Sequence, residues 1–300
     1  MRRFLLPPLL LTSALLVLGA FAGGVSLRAG PAVARATPAH VAQDAQPSCP
    51  PAGLTTLPNG QLRMPSRTTP GTTPLLVAVM SGGDGDAGDF LHLGAVANRA
   101  GLAVLYPTGR AGGIWQINDA FGSSDVTLVG GLLDGVLASG CFDLNRLSIV
   151  GVSNGGGFAT RMACKLQSRF AAVISVAAGY RALDPCVGTR GSFLAIHGGA
   201  DTIVPFAGRP PNHRGGVLRY ASDWAHRDGC TTLSVASPRP FESSFDFGHC
   251  TPGMKVEVLL LRGTDHGWPG APPPFPTRNP SGVDANADVV GFALNSTLHR

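Results

Sequence analysis

The sequence predicts an α/β fold, a mostly parallel central sheet with helices on both faces, in a single domain. Three observations carry this expectation. Six short apolar runs punctuate the chain, at 75–80, 102–106, 147–152, 171–176, 193–197 and 256–261, and strands buried on both faces have this unbroken form. Helical spacing recurs between them, most clearly in Val126, Val129, Leu132, Leu133, Val136 and Leu137. The 300 residues, 44% of them hydrophobic, can enclose one sizeable core. Strand and helix in alternation is the pattern of a parallel sheet covered on both sides.

Taken in chain order, the opening MRRFLLPPLLLTSALLVLGAFAGGVSL has a basic start and a long apolar run, followed by small-residue sites at Ala32-Val33-Ala34 and Ala34-Arg35-Ala36. This is the form of an export signal over residues 1–36, and it predicts a secreted protein. An uncleaved anchor is the alternative, because the run approaches membrane-spanning length. A membrane is a partner only in that case. No cysteine precedes Cys49, so lipid attachment at the signal is not supported.

Residues 37–73 form a Pro/Thr/Gly-rich leader with one weak edge strand near Gln61–Met64, and residues 74–300 the folded domain. In the helical pattern that follows the second apolar run, Ser124 is the candidate N-cap and Gly140 the stop. Further helices are expected over 156–166, 217–227 and 285–298. The six cysteines, at 49, 141, 164, 186, 230 and 250, are even in number and lack zinc spacings, which in an exported chain favours disulfides. Proximity along the chain pairs 164 with 186, 230 with 250, and 49 with 141.

Charge excludes one class of partner. The formal net charge is +5, but Arg2, Arg3, Arg28 and Arg35 lie in the first 36 residues, which contain no acid; without them +1 remains. A near-neutral mature chain offers no electrostatic reason to bind nucleic acid. No metal is expected either. Asp84-Gly85-Asp86-Ala87-Gly88-Asp89 has the look of a calcium loop, yet Ala95 stands where its bidentate ligand should be.

The chemistry centres on Gly151-Val152-Ser153-Asn154-Gly155. G-x-S-x-G is the form of a strand-turn-helix elbow that exposes a serine hydroxyl. In a chain with 41 glycines the motif alone is weak, but its setting, directly after a buried run and before a helical stretch, is the one an elbow requires. A serine needs a base, and the base an orienting group. Asp201 lies in a turn just past the run ending at His197, and His266 just past the run ending at Leu261, giving the order Ser, Asp, His. Asp265 competes with Asp201 but is poorly placed to reach the ring of its own sequence neighbour. His197, inside a strand-like run, reads as a packed structural residue.

With Ser153, Asp201 and His266 in view, the chain resembles the secreted polyhydroxybutyrate depolymerase and feruloyl esterase group of α/β-hydrolases. The similarity runs from about Leu75 to the C-terminus. It rests on GVSNGGGFATRMACKLQSRFAAVISVAAG, LAIHGGADTIVPF, GTDHGWPG and DWAHRDGC. The resemblance implies an α/β-hydrolase fold and a serine esterase that needs no cofactor and takes a small-molecule or oligomeric ester. One departure stands out: in Met80-Ser81-Gly82-Gly83, serine replaces the histidine of the group's usual His-Gly step. Backbone donors need no side chain, so the oxyanion hole is expected from the N–H groups of Asn154 and of Ser81 or Gly82. Trp115 and Trp268, with the loops 206–215 and 231–253, are candidate substrate-binding walls, with core packing the equal alternative for each tryptophan.

The leading expectation is therefore a secreted serine carboxylic-ester hydrolase for feruloyl or acetyl sugar esters or short hydroxyalkanoate esters, since no appended polymer-binding module is evident. The alternatives are an exported non-catalytic binding or surface protein on the same fold, and an acyltransferase using the same residues.

Overall fold

The computed structural model describes residues 47–80, 91–109, 114–117, 122–178, 186, 191–209, 216–272 and 278–298, within a compact unit spanning Gln46–Arg300. Residues 1–36, expected as an export signal, lie outside the described residues, as do Ser81, Gly82 and the Asp84–Asp89 stretch. Ten strands form one sheet: β1 (Gly53–Leu57), β2 (Gly60–Met64), β3 (Thr73–Val79), β4 (Ala103–Pro107), β5 (Phe142–Val152), β6 (Ala172–Val176), β7 (Ser192–Gly198), β8 (Thr232–Ala236), β9 (Glu242–Gly248) and β10 (Val256–Leu261). Their order across the sheet is β1-β2-β4-β3-β5-β6-β7-β10-β9-β8. The six expected runs become the parallel centre, β4-β3-β5-β6-β7-β10. Antiparallel strands extend it at both ends. This is an α/β-hydrolase fold in a single domain.

Successive side chains of a strand point to opposite faces, and here both faces are covered. Leu75, Val77 and Val79 of β3 enter one apolar cluster, with Val129 and Leu133 of α2 (Ser124–Leu137), Phe158 and Met162 of α3 (Asn154–Lys165) and Trp224 of α4 (Gly216–Arg227). Leu76 and Ala78 enter the other, with Leu93 and Ala97 of α1 (Leu93–Arg99) and Val289 and Val290 of α5 (Ala285–Leu294). Unbroken apolar runs are the consequence of having no solvent face.

The structure departs from the sequence expectations at the margins. Residues 53–64, assigned to the leader with one weak strand, form the hairpin β1–β2, and β2 pairs with β4. Asn59, with φ 65°, makes the left-handed turn between them. Ser123 occupies the N-cap of α2, and Ser124, expected there, instead donates its hydroxyl to Gln116 Oε1 at 3.1 Å. The loop 231–253 holds the hairpin β8–β9, whose strand β9 pairs with β10 at the edge of the sheet. Disulfides join Cys49 to Cys141, Cys164 to Cys186 and Cys230 to Cys250, the pairing that chain proximity gives.

Candidate active site

Ser153 sits between β5 and α3 with φ 53° and ψ −121°, a backbone conformation rarely held by a residue with a side chain. Its neighbours explain how it is tolerated. A Cβ on Gly151 would overlap the Gly155 carbonyl, and one on Gly155 would overlap the carbonyl oxygen of Val79 on β3. Only glycine lets strand and helix approach this closely. Ser153 N–H donates to Val176 O at 2.9 Å, and Ser153 O accepts from Gly156 and Gly157 N–H at 3.1 and 3.2 Å, which ties the turn to β6 and opens α3. The hydroxyl is thereby held at the carboxyl ends of the parallel strands.

The other two expected residues meet it there. His266 Nε2 is 2.9 Å from Ser153 Oγ, and His266 Nδ1 is 2.8 Å from Asp201 Oδ2. The imidazole therefore carries its proton on Nδ1, donates it to the carboxylate, and accepts from the serine hydroxyl. Asp201 is buried, and its Oδ1 accepts from the N–H groups of Ile203 at 2.9 Å and Val204 at 2.7 Å. Burial by itself would raise the Asp201 carboxyl; hydrogen bonds from His197, His266 and the Val204 amide, with the charge of His266, outweigh it and hold the group well below the ordinary carboxylate range. Asp265 does not compete for the ring, because the bond to His266 is made by Asp201.

Sequence reasoning missed the support beneath the serine. Asn154 Oδ1 accepts from Trp115 N–H at 2.7 Å, and Asn154 Nδ2 donates to Trp115 O at 3.2 Å. Gln116 N–H donates to the buried Asp125 at 2.9 Å, and Arg161 donates to Gln116 O at 2.5 Å. No local spacing signals these partners, most of which lie 39 or 45 residues apart.

The tryptophans take the core-packing alternative. Trp115 and Trp268, expected as substrate-binding walls, are each only 2% exposed. Trp115 stacks on Phe158 with ring centroids 4.7 Å apart and donates its indole N–H to Met80 O at 2.7 Å; Trp268 packs in the cluster beside α5. Large rings gain more from burial than from solvent, and the indole N–H of Trp115 finds a buried acceptor. Two aliphatic side chains among the described residues do face solvent: Ile203, two residues from Asp201 and beside the exposed Thr202, is 64% exposed, and Ile114, next to Trp115, 80%. Among the described residues no cluster of His, Cys, Asp or Glu is arranged to hold a metal ion.

A serine on a strained strand-to-helix turn, bonded through histidine to an aspartate from later strand ends, is the arrangement of the α/β-hydrolase class. Within that class, the family described as Esterase PHB depolymerase matches residues 61–181. Among curated proteins, the chain is 28% identical over 182 residues to "Probable feruloyl esterase C" of Aspergillus terreus, covering 59% of this chain and 62% of that protein. It is 31% identical over 141 residues to the protein of the same name in Aspergillus oryzae, covering 46% and 47%. The chain thus spans less than two thirds of the length of these relatives. Among solved structures, acetyl xylan esterase from Aspergillus awamori shares the fold, with a TM-score of 0.57, 15% identity, and coverage of 77% of this chain and 93% of that one. The family match and the curated relatives support the polyhydroxybutyrate depolymerase and feruloyl esterase group for this chain, and the structural likeness supports the fold.

Proposed function

We propose that the protein is a serine carboxylic-ester hydrolase working through an acyl-enzyme intermediate. One observation carries the reading: Ser153 Oγ, His266 and Asp201 are joined by two consecutive hydrogen bonds of 2.9 and 2.8 Å. In the first half-reaction Ser153 Oγ bonds to the ester carbonyl carbon while His266 Nε2 takes the hydroxyl proton. The carbon–alkoxide bond then breaks, and the same proton passes to the leaving alcohol. In the second, water loses a proton to His266 and attacks the acyl carbon, and the proton returns to Ser153 Oγ as the acid leaves. Asp201 stays ionised throughout, fixing the tautomer and offsetting the imidazolium charge. The N–H of Asn154, at the start of α3, is one oxyanion donor; Ser81 and Gly82, expected to supply the other, lie outside the described residues.

The relatives' names point to feruloyl and acetyl sugar esters or short hydroxyalkanoate esters as the substrate class, and the exposed Ile114 and Ile203 suit the apolar part of such esters. Residues 1–36 act as an export signal, and the three disulfides fit an oxidising compartment. The deciding experiment treats the mature protein with a fluorophosphonate probe and assays it on p-nitrophenyl acetate and methyl ferulate. Labelling at Ser153 and turnover abolished by Ser153→Ala support the reading; undiminished turnover by that variant overturns it.

A further inference from the structure

Two imidazoles contact the Asp201 carboxylate. His266 bonds to Oδ2 from the solvent side; behind it, His197 Nε2 lies 3.3 Å from the same oxygen and 2.7 Å from the carbonyl oxygen of Val204. His197 is the penultimate residue of β7, and its side chain is wholly buried. Two acceptors converge on Nε2, so Nε2 bears the proton. Nδ1 has no hydrogen-bond partner among the described residues and is the bare nitrogen. The ring of Phe206, 6.0 Å away, flanks the imidazole.

We propose that His197 is a positioning residue for Asp201, an inference that rests on the ester-hydrolase reading. Its N–H straps the turn at Val204 O, whose own N–H returns a 2.7 Å bond to Asp201 Oδ1. The carboxylate is thus held at Oδ1 by two backbone amides and at Oδ2 by His266, while the His197 Nε2–H, bonded to Val204 O, lies 3.3 Å from that second oxygen. A side chain pinned in this way presents one oxygen to His266 at a fixed angle, and misplacement of a catalytic group by about 1 Å costs on the order of a hundredfold in rate. The His197 N–H also faces the oxygen that His266 uses and offsets part of its negative charge. Burial of a histidine at a strand end, which looks structural in sequence, acquires through this contact a defined task in the site.

The test compares wild type, Ser153→Ala, His197→Phe and His197→Gln, the last keeping a donor near the Nε2 position. In folded His197→Phe, kcat on p-nitrophenyl acetate falls by about ten- to a hundredfold with KM little changed. The acidic limb of its kcat/KM profile moves to higher pH, because a carboxylate relieved of one donor holds the His266 proton more tightly. His197→Gln recovers most of the rate and the wild-type limb. Wild-type rate and pH profile in His197→Phe, or no rescue by glutamine, overturn the proposal. Should neither variant fold, imidazole ¹⁵N NMR on the wild type decides: a neutral Nε2–H ring for His197 at the pH of activity supports the role, and an Nδ1–H or charged ring overturns it. Turnover that survives Ser153→Ala would instead sink the ester-hydrolase reading, a result separable from any change at His197.

Discussion

The amide of Asn154 grips Trp115 by both backbone groups, accepting from its N–H at 2.7 Å and donating to its carbonyl at 3.2 Å. Asn154 follows the nucleophilic serine of the proposed mechanism, and Trp115 in turn holds Met80 O with its indole, so one side chain joins the elbow to the end of β3. Asn154→Ala keeps the backbone N–H proposed for the oxyanion hole but leaves the Trp115 groups without their partner. Unpaired groups of this kind cost about 1–3 kcal/mol. Denaturant unfolding should register that loss, and steady-state assays a fall in kcat larger than any rise in KM. Unchanged stability would mean that the clamp contributes nothing.

Gly155 has a sharper requirement. A methyl group there would overlap the carbonyl oxygen of Val79 in the middle of the sheet, where backbone cannot give way. Gly155→Ala should therefore destabilise by about 3 kcal/mol or more, the upper range for overpacking, and thermal melts should show it directly. By contrast, nothing lies within 4 Å of a Cβ built on Gly131, in the interior of α2, so Gly131→Ala should stabilise by about 0.5–1 kcal/mol and serves as the contrasting control.

Asp201 links the site to acid stability. Its folded-state carboxyl is held below the ordinary range, so its contribution is fully present above about pH 4 and is lost as pH falls below that. Asp201→Asn should flatten the decline in stability on acidification relative to wild type, as read by urea melts at pH 3 and pH 6. The same variant should lose about 10³- to 10⁴-fold in kcat, because an amide favours the wrong imidazole tautomer. A variant with the wild-type acid slope would refute the linkage.

Much of this could be read in the sequence, for one physical reason. Strands covered on both faces are apolar at most positions, so β3 to β7 and β10 declare themselves despite the buried Ser148, Ser175 and His197, and each expected triad residue follows one of them. Where cover is absent the signal vanishes. All five residues of β8 are exposed, and β1 is mostly so, which left their runs without the apolar character that marks the centre. The Asn154–Trp115 clamp and the contact of His197 with Asp201 depend on how loops return in space. Trp115 stayed open between two readings because an indole near such a serine can line the site or brace it, and only the Met80 acceptor decides.

The disulfides should differ in weight. Cys49–Cys141 closes 92 residues and Cys230–Cys250 closes 20. Loop-closure entropy makes the longer bridge worth about 1 kcal/mol more, and it also secures the chain ahead of β1 to the start of β5. The Cys49→Ala/Cys141→Ala pair should lower stability by about 2–5 kcal/mol, measurably more than the matching change at 230 and 250. Equal losses in the two double variants would show that loop length does not govern here.

Glu257 predicts a pH dependence of opposite sign to that of Asp201. It lies on β10 directly across from Asp246 of β9. Burial, then repulsion from Asp246, Asp288 and Glu242, outweighs the attraction of Lys255 and raises its carboxyl from 4.5 to about 7. A carboxyl raised in the folded state contributes stability that is fully present below its unfolded value and lost as pH climbs through its folded one. Wild type should therefore lose stability between pH 5 and pH 8, on the order of 1 kcal/mol once solvent screening is allowed for. Glu257→Gln, neutral throughout, should lose less over the same interval, so that the variant gains on wild type at pH 8. Urea melts of both proteins at the two pH values measure this, and parallel pH slopes would show that Glu257 is ionised alike in the folded and unfolded chains.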